Sequence, residues 1–171
     1  MKTVYLLRHA KSSWSDPSLS DFDRPLSSRG RKAAPRMGNF MAREGLIPER
    51  VLCSAARRAL ETWEMVSVAV GRTMPVEILR ELYLASPGAL LARIQALPQE
   101  ESSVLFIGHN PTHEELAMAL AGEGEADALA SLERKYPTGA LAVLDFSVQG
   151  WDQVEERRGY LRAFIRPKAL K

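Results

Sequence analysis

The sequence is poor in the residues that form covalent or metal cross-links. Its 171 residues include one cysteine, Cys53, which excludes an intrachain disulfide framework and a cysteine-based metal cluster. Cys53 ends an apolar run that begins at Val51, and this position predicts a small buried side chain at the end of a strand. So little cysteine is typical of a reducing compartment, and we expect a cytoplasmic protein.

Long apolar runs are also missing from the sequence. No stretch approaches the length of a membrane span, and the N-terminal residues lack the basic and apolar regions of a secretory signal. We therefore expect no membrane partner.

Charge of one sign is not gathered into a single stripe. The formal net charge is +2, and residues 1–85 contain 14 Lys and Arg against 9 Asp and Glu. These basic residues are dispersed among apolar ones and do not alternate with aromatic side chains. The pattern favours binding of a small anionic group over binding of a nucleic acid, which we do not expect as a partner.

What the chain does have is a regular alternation of strand-like apolar runs and amphipathic stretches. Strands are predicted at 3–7, 50–53, 76–79, 103–108, 140–146 and 160–165. Helices are predicted at about 28–44, 55–70, 87–97 and 112–120. Gly122 and Gly124 are expected to begin a mobile link. The alternation predicts a single α/β domain over residues 1–171, with a mostly parallel sheet of about six strands between two helical layers.

Chemically active side chains follow three of the predicted strands. They are Arg8 and His9 after the first strand, Ser54, Arg57 and Arg58 after the second, and His109 after the most apolar one. Because the carboxyl ends of parallel strands meet at one edge of a sheet, we expect these side chains to lie close together. Arginines and helix N-termini there form a cationic pocket that suits a phosphoryl group.

These motifs resemble those of the histidine phosphatase superfamily, which has the phosphoglycerate-mutase-like fold. The family's Arg-His-Gly start is similar to Arg8-His9-Ala10, and its Ser-x-x-x-Arg-Ala-x-x-Thr segment is similar to 54–62. Its second histidine corresponds to His109 in Gly108-His109-Asn110-Pro111. The resemblance spans nearly the whole chain and implies a three-layer α/β/α fold.

More narrowly, the chain resembles the small bacterial phosphohistidine phosphatases. The similar segments are Arg8-His9-Ala10, the turn at 23–26 with Arg29-Gly30, and the closing residues 164–168. That branch lacks the long insertions that cap the mutases, and the stretch from Glu81 to His109 has room for about one helix. The resemblance therefore implies an open site without a large cap.

The resemblance also implies a reaction. His9 would attack phosphorus and carry a covalent phosphohistidine, Arg8 and Arg58 would bind the phosphoryl group, and His109 would donate to one of its oxygens. The implied enzyme is a phosphatase without metal or cofactor that acts on phosphohistidine in a phosphorylated protein. A broad-specificity phosphomonoesterase for small phosphorylated metabolites and a non-catalytic phosphoprotein-binding module remain alternatives.

Three further positions have two interpretations each. Glu81 matches the position of the general acid in mutase-like relatives, or it is a surface carboxylate paired with Arg80 or another neighbour. Ser15 matches a phosphate-binding asparagine of larger relatives, or it serves turn chemistry. Arg24 resembles a phosphate-binding residue of the family, or it pairs with a nearby aspartate.

Two more residues are expected to lie outside the site. Arg57 competes with Arg58 for the pocket, but the family pattern favours Arg58, so Arg57 is predicted to be a solvated charge on a helix. His113 follows His109 by four residues, a spacing that can bind metal when both residues share a helix. Pro111 argues against a shared helix, and we expect His113 to face solvent or to cap a helix.

Overall fold

The computed structural model describes residues 1–171 and contains one seven-stranded sheet with helices on both faces. The strands are β1 (Lys2–Arg8), β2 (Arg50–Ser54), β3 (Val76–Leu79), β4 (Ser103–Gly108), β5 (Ala121–Gly124), β6 (Leu141–Phe146) and β7 (Gly159–Ile165). The helices are α1 (Ser28–Arg43), α2 (Arg57–Val70), α3 (Pro87–Gln95), α4 (Thr112–Leu120) and α5 (Ala126–Arg134). No helix is both long enough and apolar enough to cross a bilayer.

The strand order is β3-β2-β4-β1-β6-β7-β5. Strand β1 lies at the centre, parallel to β4 and antiparallel to β6, so that Leu6 is opposite Phe106 on one side and Ala142 on the other. Strands β2 and β3 extend the parallel half beyond β4. The carboxyl ends of β1, β4 and β2 therefore lie side by side at one edge.

Two hydrophobic cores lie on opposite faces of the sheet. Val4 and Leu6 of β1 belong to the core that α3, α4 and α5 cover, whereas Tyr5 and Leu7 belong to the core under α1 and α2. Both faces of β1 and β4 are thus buried, which explains why these strands are continuous apolar runs in the sequence. This double cover makes the two strands rigid supports for the residues that follow them.

Helix α1 begins at a cap that also touches the loop after β1. The Ser27 hydroxyl accepts a hydrogen bond from the Gly30 N–H at 3.1 Å, and the Ser27 N–H donates to the Lys11 carbonyl at 2.9 Å. The helix continues through Pro35 and packs along α2. The cap therefore fixes the loop that follows His9 against the start of α1.

The predicted α/β class and the mostly parallel sheet are confirmed, and the last two strands, β6 and β7, pair antiparallel. The predicted mobile link was wrong, because residues 121–124 form the edge strand β5, which pairs with β7. This strand escaped prediction because Gly122 and Gly124 leave it without an apolar alternation. A Cβ at Gly122 would lie 1.9 Å from the Arg157 carbonyl oxygen, so this glycine permits a close backbone approach.

Candidate active site

Three adjacent strand ends bring the predicted site residues together. His9 directly follows β1, and its N–H donates to the Gly108 carbonyl at the end of β4 at 3.0 Å. His109 follows β4, and Arg58 lies in the first turn of α2, just after β2. The rings of His9 and His109 have centroids 5.2 Å apart. The expected convergence at one sheet edge is therefore present in the structure.

His9 is buried and its proton position is determined by a backbone contact. The ring Nδ1 lies 2.7 Å from the Ala10 carbonyl oxygen, and because a carbonyl only accepts, Nδ1 carries the proton. The other nitrogen, Nε2, then keeps its lone pair and accepts a hydrogen bond from Arg58 Nε at 3.3 Å. His9 thus presents an unprotonated Nε2 to an arginine.

Electrostatics keep His9 neutral. Burial lowers its pKa well below the usual value, and the nearby His109, Arg58 and Arg8 lower that pKa further, although the Ala10 carbonyl opposes the shift. A neutral imidazole retains the lone pair that a nucleophile needs. His9 is therefore a neutral imidazole whose Nε2 lone pair is available at neutral pH.

The two arginines are held by different partners. Arg8 donates from Nη1 to the Tyr136 carbonyl at 2.8 Å, and its Nε is buried without a partner. Arg58 donates from Nη1 to the Asp21 carbonyl at 2.6 Å and from Nη2 to the Asp21 carboxylate at 3.0 Å. Arg58 is thus anchored through both of its terminal nitrogens, with its Nε at His9, whereas Arg8 is anchored through Nη1.

Asp21 connects several groups around the site. Besides Arg58, its carboxylate accepts hydrogen bonds from Arg24 Nε at 3.1 Å and from the Tyr83 hydroxyl. The Tyr83 hydrogen bond is the main cause that lowers the pKa of Asp21 to about 2, with help from Arg58 and Arg24. Asp21 is therefore an anionic link between the two arginines and Tyr83. The Tyr83 ring in turn packs on His109, with ring centroids 5.5 Å apart.

His109 is neutral and is oriented by a serine. Its Nε2 lies 2.8 Å from the Ser54 hydroxyl, which also accepts a hydrogen bond from the Ala56 N–H at 3.2 Å. Burial lowers the pKa of His109 to about 4, and the charges of Arg58 and Arg8 contribute to that shift. A neutral His109 can donate one hydrogen bond to a substrate from the nitrogen that carries its proton.

Arg24 and Ser15 both have protein partners in the structure. Arg24 is buried, and it binds Asp21 as well as the Ser12 hydroxyl at 2.9 Å, which agrees with the predicted aspartate pair. The exposed Ser15 donates its N–H to the Ser13 hydroxyl at 3.1 Å, as in a turn. Phosphate binding by either residue stays a prediction.

Glu81 lies in a short 3-10 helix and is exposed. Its carboxylate accepts a hydrogen bond from Arg93 Nη2 at 3.0 Å. The structure therefore shows the surface pair that was one of the two interpretations, with Arg93 as the partner instead of Arg80. The role of general acid stays a prediction.

The expectation for Arg57 is confirmed, whereas the one for His113 was wrong. Arg57 is half exposed and pairs with Glu61 at 3.3 Å, so the prediction of a solvated helix charge is confirmed. His113 is only 2 % exposed and lies within α4, so the prediction that it faces solvent or caps a helix was wrong. Buried residues recur along α4 at helical spacing, at positions 113, 116, 117 and 120. This period could have shown that His113 faces the core.

Sequence reasoning missed the roles of Asp21, Tyr83 and Thr62. Asp21 begins a short 3-10 helix and Tyr83 directly follows another, and no periodic signal marks either one. Thr62 is part of the quoted motif, but its hydroxyl contact with the Ala10 N–H at 3.0 Å is visible only in the fold. No group of three or more His, Cys, Asp or Glu side chains is placed to hold a metal ion.

Comparison with known proteins agrees with this geometry. Residues 4–93 match the family model of the histidine phosphatase superfamily, branch 1. Phosphohistidine phosphatase SixA of Escherichia coli is 34% identical over 110 residues, which cover 63% of this chain and 67% of that protein. The range matched by the family model includes both the His9 motif and the Arg58 motif.

Solved structures share the complete fold. SixA from Agrobacterium tumefaciens superposes with a TM-score of 0.82 and 34% identity, covering 97% of this chain and 98% of that one. A protein histidine phosphatase SixA complexed with tungstate gives a TM-score of 0.79 and 26% identity, covering 98% of each chain. The chain therefore belongs to the histidine phosphatase superfamily, and it is a phosphatase similar to SixA.

Proposed function

We propose that the protein hydrolyses phosphohistidine in proteins, without a metal ion, through a phosphoryl group carried on His9. One observation carries the proposal: His9 is buried and neutral, and its proton is held on Nδ1 by the Ala10 carbonyl at 2.7 Å. The lone pair of Nε2 is therefore available, and it faces Arg58 Nε at 3.3 Å. This is the arrangement that a nucleophile beside an anion-binding group requires.

In the first step, His9 Nε2 attacks phosphorus in line with the leaving group. The P–Nε2 bond forms as the P–N bond of the substrate breaks, and the electron pair of that bond goes to the leaving imidazole, which takes a proton from solvent. The ring of His9 gains positive charge. The Ala10 carbonyl, which accepts from Nδ1, stabilises this charge.

The arginines and His109 neutralise the phosphoryl oxygens during transfer. Arg8 Nε is a buried donor without a protein partner, and such a donor is costly unless an acceptor binds it. Arg58 Nε lies at the nucleophile. Guanidinium groups suit phosphate because their planar N–H donors match its oxygens. Charge spread over the equatorial oxygens is the main demand of phosphoryl transfer.

In the second step, water attacks the phosphorylated His9. An O–P bond forms, the P–Nε2 bond breaks with its electron pair returning to Nε2, one proton of the water passes to solvent, and inorganic phosphate leaves. Between Glu81 and His109 the chain forms only the end of a 3-10 segment, α3 and β4. No long insertion covers the site from this direction, and this supports access for water and for a phosphate attached to a protein.

The substrate class is supported by similarity and by chemistry. The relative in Escherichia coli is a phosphohistidine phosphatase, and a structural neighbour binds tungstate, a tetrahedral oxyanion like phosphate. The P–N bond of phosphohistidine is labile, so its imidazole leaving group needs less acid assistance than an alkoxide. This suits a site in which Glu81 is paired with Arg93 at the surface.

The test compares substrates on the purified protein without added metal. We expect faster hydrolysis of a phosphohistidine peptide than of a phosphoserine peptide or a sugar phosphate. Comparable rates on all three would instead favour a broad-specificity phosphomonoesterase, and binding without turnover would favour a phosphoprotein-binding module.

Trapping of radiolabelled phosphate on the protein tests the nucleophile. We expect acid-labile labelling of the wild-type protein and none of His9→Ala. Arg57→Ala is the matched control, because Arg57 is exposed and contacts Glu61 instead of His9. Unchanged labelling of His9→Ala would refute the assignment of His9.

A further inference from the structure

Several large apolar side chains of the chain are exposed. They are Met1, Trp14, Val68, Val76, Ile78, Leu84, Met118 and Tyr160. Most of these lie in β3, β7, α2 or α4 or at the first residue, where single exposed apolar side chains are ordinary. The other two lie in loops: Trp14 lies between His9 and Asp21, and Leu84 directly follows Tyr83. These two are 72% and 84% exposed, and their place beside site residues requires an explanation.

Trp14 is joined to His9 by a chain of direct contacts. The guanidinium carbon of Arg24 lies 3.4 Å from the centroid of the Trp14 ring. Arg24 donates from Nε to the Asp21 carboxylate at 3.1 Å, and the same carboxylate accepts from Arg58 Nη2 at 3.0 Å. Arg58 Nε in turn donates to His9 Nε2 at 3.3 Å. The exposed indole therefore belongs to the surroundings of the candidate active site.

The loop that carries Trp14 is held in place. Arg24 is buried, and its Nη1 donates to the Ser12 hydroxyl at 2.9 Å and to the Ser13 carbonyl at 3.2 Å. The Ser13 N–H donates to the Pro25 carbonyl at 2.8 Å. Stacking on a guanidinium also stabilises the indole itself. Trp14 is thus a preorganised aromatic side chain, which loses little conformational freedom when a partner covers it.

Leu84 lies on the other side of Asp21. The Tyr83 hydroxyl donates to the Asp21 carboxylate, and the Tyr83 ring packs on His109. Leu84 is the next residue in the chain. Trp14 and Leu84 are therefore each adjacent to a residue that binds the same carboxylate. We call these two side chains the apolar rim of the site.

The apolar rim is suited to an apolar partner. The charge of Arg24, on which Trp14 stacks, is already paired with Asp21, so an acidic partner gains little there. Burial of apolar surface is favourable by about 25 cal/mol per Å², and tryptophan is among the residues that contribute most to binding when a partner buries them.

A polypeptide is the occupant that can reach the rim from His9. A phosphoryl group bound at His9 does not itself cover Trp14, because three residues lie between them in the chain of contacts. An extended peptide spans about 3.3 Å per residue. A few residues on either side of a phosphohistidine therefore extend well beyond the phosphoryl group and over the side chains that surround it.

We propose that Trp14 and Leu84 form a docking surface for the polypeptide that carries the phosphohistidine, and that this surface favours apolar residues beside the phosphorylated histidine. The inference rests on the proposed function, because the phosphoryl group at His9 holds this partner in place. It adds a preference for the sequence around the phosphohistidine.

Two peptides of equal length test this preference. In one, leucines flank a central phosphohistidine, and in the other, serines replace the leucines. We expect kcat/KM of the wild-type protein to be about tenfold higher for the leucine peptide, the effect of one well-buried side chain at an interface. The difference should lie mainly in KM, since the rim does not touch the reacting atoms.

Substitutions on the rim should remove the preference. We expect Trp14→Ala and Leu84→Ala each to lower the ratio of kcat/KM for the leucine peptide over the serine peptide several-fold. Val68→Ala is the matched control, because Val68 is 81% exposed but lies near the end of α2, and it should keep the wild-type ratio. Equal losses on both peptides in Trp14→Ala would show that Trp14 supports Arg24 and does not dock substrate.

Tryptophan fluorescence tests the contact without turnover. Trp14 is exposed, whereas Trp63 and Trp151 are buried, so a change in solvent exposure is reported by Trp14. We expect the leucine peptide to shift the emission of His9→Ala to shorter wavelength, and to cause no shift when Trp14→Ala is added. A shift that depends on protein concentration alone would mean that a second copy of the chain covers the rim, which would contradict the inference.

The outcomes separate this inference from the proposed function. Equal kcat/KM of the wild-type protein on the two peptides would overturn the docking surface while the phosphatase activity stands. Full retention of the leucine preference in both rim variants would overturn it as well. Failure to hydrolyse either phosphohistidine peptide would instead count against the proposed function.

Discussion

The N–H of Ala10 donates to the Thr62 hydroxyl at 3.0 Å, and this contact joins the loop after His9 to helix α2. The same hydroxyl donates to the Arg58 carbonyl at 2.7 Å. Ala10 and Thr62 are both completely buried. Because the Ala10 carbonyl also fixes the proton of His9, the Thr62 hydroxyl links the His9 loop to the helix that carries Arg58.

We expect Thr62→Val to impair both folding and catalysis. Valine has the same shape but leaves the buried Ala10 N–H without an acceptor, which costs about 1–3 kcal/mol of unfolding free energy. Urea unfolding and kcat measurements check this. Thr62→Ser retains the hydroxyl and is the control, so equal behaviour of the two variants would show that the hydroxyl contact is unimportant.

Asp21→Asn is expected to weaken catalysis more than stability. The side chain is about half exposed, but it anchors Arg58 at 3.0 Å and Arg24 at 3.1 Å. Loss of its charge weakens the ion pair at Arg58 Nη2, while Nη1 keeps the Asp21 backbone carbonyl, and we expect kcat/KM to fall about tenfold, since a hydrogen bond to a charged group is worth roughly 1.5–3 kcal/mol. Asp23→Asn is the matched control, because the Asp23 carboxylate contacts Ser20 instead of an arginine. Similar kinetics for both variants would contradict the anchoring role.

Gly30→Ala is expected to disturb the loop after His9. A Cβ at this position would lie 2.1 Å from the Lys11 carbonyl oxygen, which is backbone and cannot move alone. We expect a loss of about 1–3 kcal/mol in unfolding free energy, together with lower kcat. Gly88→Ala is the control, because its nearest neighbour atom would be 4.0 Å away. Thermal unfolding of the two variants should therefore differ clearly in direction or size.

The sequence predicts site residues best where they lie at the end of a buried strand. Arg8 ends β1, and His9 and His109 directly follow β1 and β4, which are buried on both faces and so are visible as apolar runs. Their meeting at one edge follows from parallel pairing, and Arg58 is identified by its motif. These four positions are therefore predictable from the sequence alone.

Other parts of the site depend on contacts between segments that are distant in the sequence. Asp21 meets Arg58 across 37 residues and Tyr83 across 62, and no local pattern encodes such pairs. Strand β5 also lacks a sequence signal, because its residues Ala-Gly-Glu-Gly show no alternation of apolar and polar side chains. Long-range packing, and not local propensity, decides these features.

Glu81→Gln distinguishes the two interpretations of this carboxylate. If Glu81 reaches the leaving group in the substrate complex, the substitution removes the proton donor, and an alkoxide leaving group depends on it more than imidazole does. We expect a loss of roughly 10²-fold on an alkyl phosphate and a much smaller loss on a phosphohistidine peptide. Arg93→Ala breaks the same surface pair and should leave both rates unchanged. Equal losses for Glu81→Gln on the two substrates would exclude the acid role.

Acidification is expected to destabilise the protein through its buried histidines. Burial lowers the pKa of His109 to about 4 and that of His113 to about 3, whereas in the unfolded chain both titrate near 6.5. Between these values the unfolded state binds more protons than the native state, so the unfolding free energy rises with pH and falls as pH drops below about 6.5. Urea unfolding at several values between about pH 7 and pH 4.5 tests this, because most carboxylates remain ionised there. His113→Asn removes one of the titrating groups and should give a shallower dependence. A slope identical to that of the wild-type protein would mean that His113 does not contribute to acid sensitivity.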